Sequence, residues 1–314
     1  MSLIIASQLE PDFNRSLGLH PSRPILIDVA EDEPWSAASE ADILLVRPSP
    51  AWRRSPDLRP AVWPGRLKWV YSASAGVDFY PDWLLEAPLV TCGRGVASEE
   101  IADYVIAAIY AHAKNLAAVT ARSRSQWVTA PLGRVSGTTI GIVGLGAIGT
   151  AVARRGLALG AQVIGVRRSG AQSGLSGVHH VRDLEMLVAE ADHIVIAVPG
   201  TGETRHLFND ALFERIKPGA HIINVARGSV IDQEALVRAL DKGRLGFATL
   251  DVTDPEPLPE GHALYTHEQV RLTPHISSNY TLIRHRLLEK VQDDLSRFSR
   301  GEKPSDIVDA TRGY

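Results

Sequence analysis

The sequence predicts an α/β protein built from two doubly wound parallel sheets. Three observations lead there. Short apolar runs recur along the 314 residues, separated by helical patterns, as expected of strands buried on both faces. One of these runs, Thr139-Ile-Gly-Ile-Val143, leads straight into Gly144-x-Gly146-x-x-Gly149 and then into a helix beginning near Ala147. The length suffices for two domains of ordinary size.

Composition narrows the class. Hydrophobic residues make up 45% and charged residues 22%, as in a soluble globular protein. The net charge of -3 is spread along the chain, which argues against a nucleic-acid face or a polybasic membrane patch. One cysteine, Cys92, permits no intrachain disulfide and fits a cytoplasmic setting. The stretch Met1 to Glu10 lacks a basic region and is too briefly apolar for a signal peptide. No apolar run approaches membrane-spanning length. The histidines show no metal-ligand spacing, so no metal site is expected, and His179-His180 reads as a surface pair.

The first segment, to about Gly95, carries strands at Leu3–Ala6, Ile25–Val29, Ile43–Val46, Trp69–Tyr71 and Leu89–Thr91. They suggest a small parallel α/β sheet. Ser72-Ala-Ser-Ala-Gly-Val-Asp78 follows the fourth strand with small residues. Such a turn can present backbone N–H groups to an anion or be an ordinary tight turn, and the segment alone favours the latter. Arg47, at the end of the third strand, reads as a loop arginine. Trp52, Trp63, Trp69 and Trp83 read as packing residues.

Glu99 to Lys114 forms a helix, with Ser98 as the expected N-cap and Glu99 and Glu100 at the positive dipole end. It is apolar over more than one stripe, as suits a domain junction. Ala121 to Ser136 is polar and irregular, an arm over the surface or over a partner subunit.

From Thr138 to about Ser278 the alternation is clear. Strands are expected at Gln162–Val166, His193–Val198, His221–Val225, Phe247–Leu250 and Val270–Thr273. Helices are expected to about Leu159 and over Asp183–Glu190, Asp210–Ile216 and Gln233–Leu240, with Asn209 and Asp232 as N-caps. The glycine turn then sits on the first strand of a doubly wound sheet, the place of a dinucleotide pyrophosphate. Gly144 allows the turn, Gly146 lets the phosphates approach, and Gly149 lets helix and strand pack closely. NAD-binding units carry an acid about twenty residues further on, for the ribose 2′-hydroxyl. This chain has Arg167-Arg168-Ser169 there, which would bind a 2′-phosphate, so NADP(H) is expected in preference to NAD(H). Three ionisable groups fall at carboxyl strand ends: Arg227, Glu256 and His275.

These residues bring a resemblance into view. Asn224-Val-Ala-Arg-Gly-Ser-Val-Ile-Asp232, Leu250-Asp-Val-Thr-Asp-Pro-Glu-Pro257 and Thr273-Pro-His-Ile276 resemble the D-isomer-specific 2-hydroxyacid dehydrogenases. So do Ala191 to Pro199 and Thr204-Arg-His-Leu207. The ending Val308 to Tyr314 resembles the glyoxylate/hydroxypyruvate reductase branch. The resemblance implies a Rossmann coenzyme domain, 96–281, inserted into a flavodoxin-like substrate domain, 1–95 plus 282–314. It implies catalytic roles for Arg227, Glu256 and His275, and substrate-carboxylate contacts at Ala75, Gly76 and Arg227. Coenzyme contacts are implied at Gly144, Gly146, Ala147, Ile148 and Gly149, and at Arg167, Arg168 and Ser169. Further contacts are implied at Val198, Pro199 and Thr204, and at Val225, Ala226, Asp251 and Ser277. Ala97 stands where many relatives have asparagine, and Ser277-Ser278 replace a small Gly/Ala pair.

The expected activity is NADPH-dependent reduction of a small 2-oxo acid, glyoxylate or hydroxypyruvate, with His275 as proton donor and domain closure expelling water. A homodimer is implied, with the arm around Arg122 to Arg134 crossing over. The competing expectations are a dinucleotide-sensing interaction protein on the same fold and a dehydrogenase of a bulkier 2-hydroxy acid.

Overall fold

The computed structural model describes residues 2–168, 170 and 174–314. The chain divides into two compact units, Met1–Val96 with Tyr280–Tyr314, and Ala97–Asn279. Both are α/β units with wholly parallel sheets, of five and seven strands.

The first unit contains β1 (Ile4–Ser7), α1 (Pro11–Gly18), β2 (Ile25–Asp28), β3 (Ile43–Val46), α2 (Pro50–Arg53), β4 (Trp69–Ser72) and β5 (Val90–Cys92). Its strand order, β2-β1-β3-β4-β5, is the doubly wound order of the flavodoxin type. Strands β3 and β4 are buried at every position, and both lack the alternation of a one-sided sheet. Edge strand β2 is partly exposed and ends on Asp28. Trp35, Trp52, Trp63 and Trp83 interlock in one core, with ring centroids 5.0 Å apart for Trp63 and Trp83. Trp69 belongs to a second core and packs on Phe298 at 5.1 Å. Phe298 lies on the helix Tyr280–Ser299, which buries Leu287, Val291 and Leu295 at i, i+4 spacing in that core. This burial ties the C-terminal segment to the N-terminal sheet.

The second unit runs α3 (Ser98–Lys114), β6 (Thr139–Val143), α4 (Ala147–Ala158), β7 (Gln162–Val166), β8 (Val178–His180), α5 (Leu184–Glu190) and β9 (His193–Ile196). It continues with α6 (Asp210–Phe213), β10 (His221–Asn224), α7 (Gln233–Asp241), β11 (Phe247–Leu250) and β12 (Val270–Leu272). The order β12-β11-β10-β9-β6-β7-β8 reverses between β6 and β9, which is the switch point where such sheets bind ligands. Asn209 and Asp232 cap α6 and α7, their carbonyl and carboxylate oxygens accepting first-turn N–H groups. Asp183 caps α5 in the same way.

Three details depart from the sequence expectation. Ser98 lies inside the first turn of α3, and the N-cap position falls on Ala97 without a side-chain bond. Helix α6 stops at Phe213. The strand β8, which pairs with β7, has no counterpart in the sequence reading, while its His179 is exposed and His180 half-buried. No helix among the described residues is long and apolar enough to cross a membrane.

At the amino ends of β9 and β10, three imidazoles meet. His221 lies 4.5 Å from His112 of α3 and 5.7 Å from His193, measured between ring centres. His193 and His221 are buried, and the Nδ1 atoms of both have no hydrogen-bond partner among the described residues. Burial, with the charges of His112 and Lys217 adding to it against Asp192, pushes His193 down to about 4. His221 is likewise lowered well below its ordinary value, by burial and by both neighbouring imidazoles and Arg271. The unfolded chain therefore binds protons here at pH values where the folded chain does not, so stability falls as pH drops below 6.5. For His193 alone the loss approaches ~3 kcal/mol by pH 4. Thermal melting between pH 7 and 4.5 should show a steep acid decline, shallower in His193→Leu. An equally steep decline in the variant would contradict this.

Candidate active site

The site grows from the switch point. β6 ends at Val143, and Gly144 turns the chain with φ +100°. A Cβ there would lie 2.6 Å from the Ala197 carbonyl oxygen, and one at Gly149 would lie 2.1 Å from the Gly144 carbonyl oxygen. Side chains at either position would force the turn, β9 and α4 apart. Gly146 is different: an added Cβ would meet nothing within 4 Å. Gly146 and Ala147 are exposed where α4 begins, with Ile148 half-buried behind them. The absence of a side chain thus keeps space open in front of a twelve-residue helix's N–H groups, which fits a pyrophosphate.

Val198 and Pro199 follow β9 beside this turn, and Val198 Cγ1 would lie 2.9 Å from a Cβ on Gly144. Thr204 closes the loop that follows. Its hydroxyl donates to the Pro199 carbonyl at 2.7 Å and accepts the Thr201 N–H at 2.9 Å. Arg167 and Arg168 are exposed just beyond β7, and Arg168 forms an ion pair with Glu203. Ser169 lies outside the described residues.

Arg227 is set by a turn after β10. The buried Asn224 side chain donates to the Arg227 carbonyl at 2.9 Å and accepts the Ala226 N–H at 3.0 Å. Val225 and Ala226 are buried in this turn. The next residue must be glycine, because a Cβ on Gly228 would lie 1.9 Å from the Thr253 carbonyl carbon. This approach brings the Arg227 turn against the loop after β11, which carries Glu256. The Arg227 guanidinium donates to the Ala226 carbonyl at 2.8 Å and is half-buried.

His275 follows β12, and its Nδ1 lies 3.0 Å from Glu256 Oε2. That hydrogen bond raises the imidazole above its ordinary 6.5, against burial and against the Arg227 charge. Asp251, 1% exposed, holds the histidine loop: its oxygens accept the N–H groups of Ile276 at 2.8 Å and Ser277 at 2.9 Å. The sequence reading placed Asp251 and Ser277 among coenzyme contacts. The structure turns the Asp251 carboxylate inward to this loop.

Arg227, Glu256, His275 and the glycine turn all belong to the second unit. Ala75 and Gly76 belong to the first, in a turn after β4 whose hydrogen bonds run through Ser72, Ser74 and Gly93. Asn224 and Gly228 stand in the motif quoted above but have no role in the sequence reading. The signal for them was their position on either side of Arg227 at a strand end.

The fold, together with the matches that follow, defines an NAD(P)-dependent oxidoreductase. Residues 106–277 match the family model described as D-isomer specific 2-hydroxyacid dehydrogenase, NAD binding domain. The chain is 38% identical over 229 residues to a glyoxylate reductase of Korarchaeum cryptofilum, covering 70% of this chain and 68% of that one. It is 30% identical over 262 residues to glyoxylate/hydroxypyruvate reductase A of Serratia proteamaculans, covering 80% and 82%. A solved NADPH-dependent glyoxylate/hydroxypyruvate reductase of Sinorhizobium meliloti, in complex with NADP and sulfate, superposes with a TM-score of 0.81 at 25% identity over 100% of both chains. The protein belongs to the D-isomer specific 2-hydroxyacid dehydrogenase family.

Proposed function

We propose that the protein uses NADPH to reduce small 2-oxo acids, glyoxylate and hydroxypyruvate first among them, to 2-hydroxy acids. The observation that carries this is the His275–Glu256 pair at 3.0 Å, with Arg227 on the neighbouring strand end. The names of the relatives from Korarchaeum, Serratia and Sinorhizobium support the substrate class.

The glycine turn Gly144–Gly149 and the arginines at the β7 end would hold the coenzyme, which when bound would supply the hydride for the substrate's carbonyl carbon. The carbonyl oxygen then needs a proton, and the His275 imidazolium donates it from Nε2 while Nδ1 stays bonded to Glu256. Glu256 favours the protonated imidazole, raising it above its ordinary value, and fixes its ring. Arg227 holds the substrate carboxylate with its planar fork and polarises the carbonyl.

Coenzyme choice rests on Arg167 and Arg168, with no carboxylate at the position of the ribose acid. Glu203 faces Arg168 across an exposed pair, 52% and 71% accessible. Such a pair contributes about 0–1 kcal/mol, so a 2′-phosphate displaces it readily. The test is a matrix of glyoxylate, hydroxypyruvate, pyruvate and phenylpyruvate, each with NADPH and NADH. Arg168→Ala should raise KM for NADPH about 10- to 100-fold and leave NADH nearly unchanged, and Glu203→Gln should lower KM for NADPH. A wild-type preference for NADH would overturn the coenzyme reading.

The homodimer is part of the same proposal. Leu116, Trp127, Val128 and Leu132 of the arm after α3 are exposed, Trp127 by 85%. Sedimentation should give twice the chain's 34.0 kDa, and less for Trp127→Ser. A wild-type monomer at micromolar concentration would contradict it.

A further inference from the structure

Helix α3 reaches the histidine loop through a chain of hydroxyls. Tyr104, half-buried on α3, places its phenol oxygen 2.6 Å from Thr273 Oγ1. Thr273 Oγ1 lies 2.7 Å from Asp251 Oδ1. The direction of both bonds follows from proton counting. The Asp251 oxygens already accept two amide N–H groups, and a carboxylate only accepts, so the Thr273 proton goes to Asp251. A hydroxyl has one proton to give. Tyr104 therefore donates to Thr273. The phenol keeps its proton through the neutral range, because burial and the Asp251 charge raise it against the Thr273 bond and Arg271.

The end of this chain bears on the site. His275 has φ +52°, the left-handed region that a residue with a Cβ adopts at a cost. Its N–H donates to the Asp251 carbonyl at 2.8 Å, while the Asp251 side chain takes the next two N–H groups. Asp251 thus holds three consecutive residues in a conformation that the loop would not keep alone. In that bend the imidazole lies 3.0 Å from Glu256. The charged groups facing His275 are Glu256, Arg227 and Asp251.

We propose that Tyr104 and Thr273 are positioning residues for His275: they orient the Asp251 carboxylate, which in turn holds the loop that presents the imidazole to Glu256. The proposal rests on the reading of His275 as proton donor, and its test separates the two. The protein is labelled with 13C-histidine and His275 is titrated by NMR in the wild type and in Tyr104→Phe, Thr273→Val and Thr273→Ser. Turnover of glyoxylate with NADPH and thermal melting are followed alongside, with His275→Ala as reference.

Thr273→Val should lower kcat about 10- to 100-fold, change KM for NADPH less than about 3-fold, and move the His275 titration toward lower pH. Tyr104→Phe should move both in the same direction by less, and Thr273→Ser should restore both. A His275 titration unchanged in Tyr104→Phe and Thr273→Val overturns the proposal, as does a Thr273→Ser variant as damaged as Thr273→Val. The expected titration shifts in a protein whose His275→Ala form keeps full activity would uphold the positioning and overturn the donor role instead.

Discussion

Replacing His275 with alanine is expected to lower kcat/KM for 2-oxo acid reduction about 10²- to 10⁴-fold, the usual contribution of a positioned general acid. Binding of NADPH should be little changed, because the glycine turn and the β7 arginines are untouched. Stability should change little as well, since the imidazole is half-exposed and its ring bonds to Glu256 alone among the described residues. Glu256→Gln is the sharper companion. The Glu256 hydrogen bond is the largest influence raising His275, and burial and Arg227 pull the other way. Without the carboxylate those opposing influences win. The alkaline limb of the reduction profile should then move to lower pH, with activity near pH 6 much less affected than at pH 8. A His275→Ala enzyme within a few-fold of wild type would remove the imidazole from the mechanism.

Arg227→Ala carries the second large effect. Hydrogen bonds between charged groups contribute about 1.5–3 kcal/mol each, so losing a bidentate grip should cost about 10²- to 10⁴-fold in kcat/KM. The loss should appear in KM for the 2-oxo acid and in kcat together, because in the proposed mechanism the guanidinium would both hold the carboxylate and polarise the carbonyl. Arg227→Lys should recover only a small part, since an ammonium cannot reproduce the planar fork. The backbone turn itself is kept by Asn224 and Gly228 and does not depend on the guanidinium. Melting temperature should therefore stay within a few degrees of wild type. A lysine variant with wild-type kinetics would show that charge alone suffices at this position.

The fold was legible where burial leaves a continuous apolar run. Ile43–Val46 and Trp69–Ser72, buried at every position, read as strands without any alternation. Val178–His180 did not, because a three-residue edge strand with two histidines has neither length nor apolar character. Arg227, Glu256 and His275 could be picked out because each stands just past a strand end, where open α/β sheets gather their ligands. What holds them was out of reach. Tyr104 and Thr273 are 169 positions apart, and no local pattern marks a phenol on a helix as the partner of a strand-end hydroxyl. Glu203, facing Arg168, is hidden for the same reason. The buried imidazoles left a faint signal: His193 and His221 both open strands and stand in register across β9 and β10.

The most direct measurement is a pair of pH profiles on one enzyme, reduction of glyoxylate by NADPH and oxidation of the 2-hydroxy acid by NADP. If His275 donates the proton in reduction and accepts it in oxidation, reduction falls and oxidation rises through one shared pKa lying above 6.5. In Glu256→Gln that shared value should move down in both directions. Two profiles that rise and fall together, or a shared value unmoved by Glu256→Gln, would contradict the account.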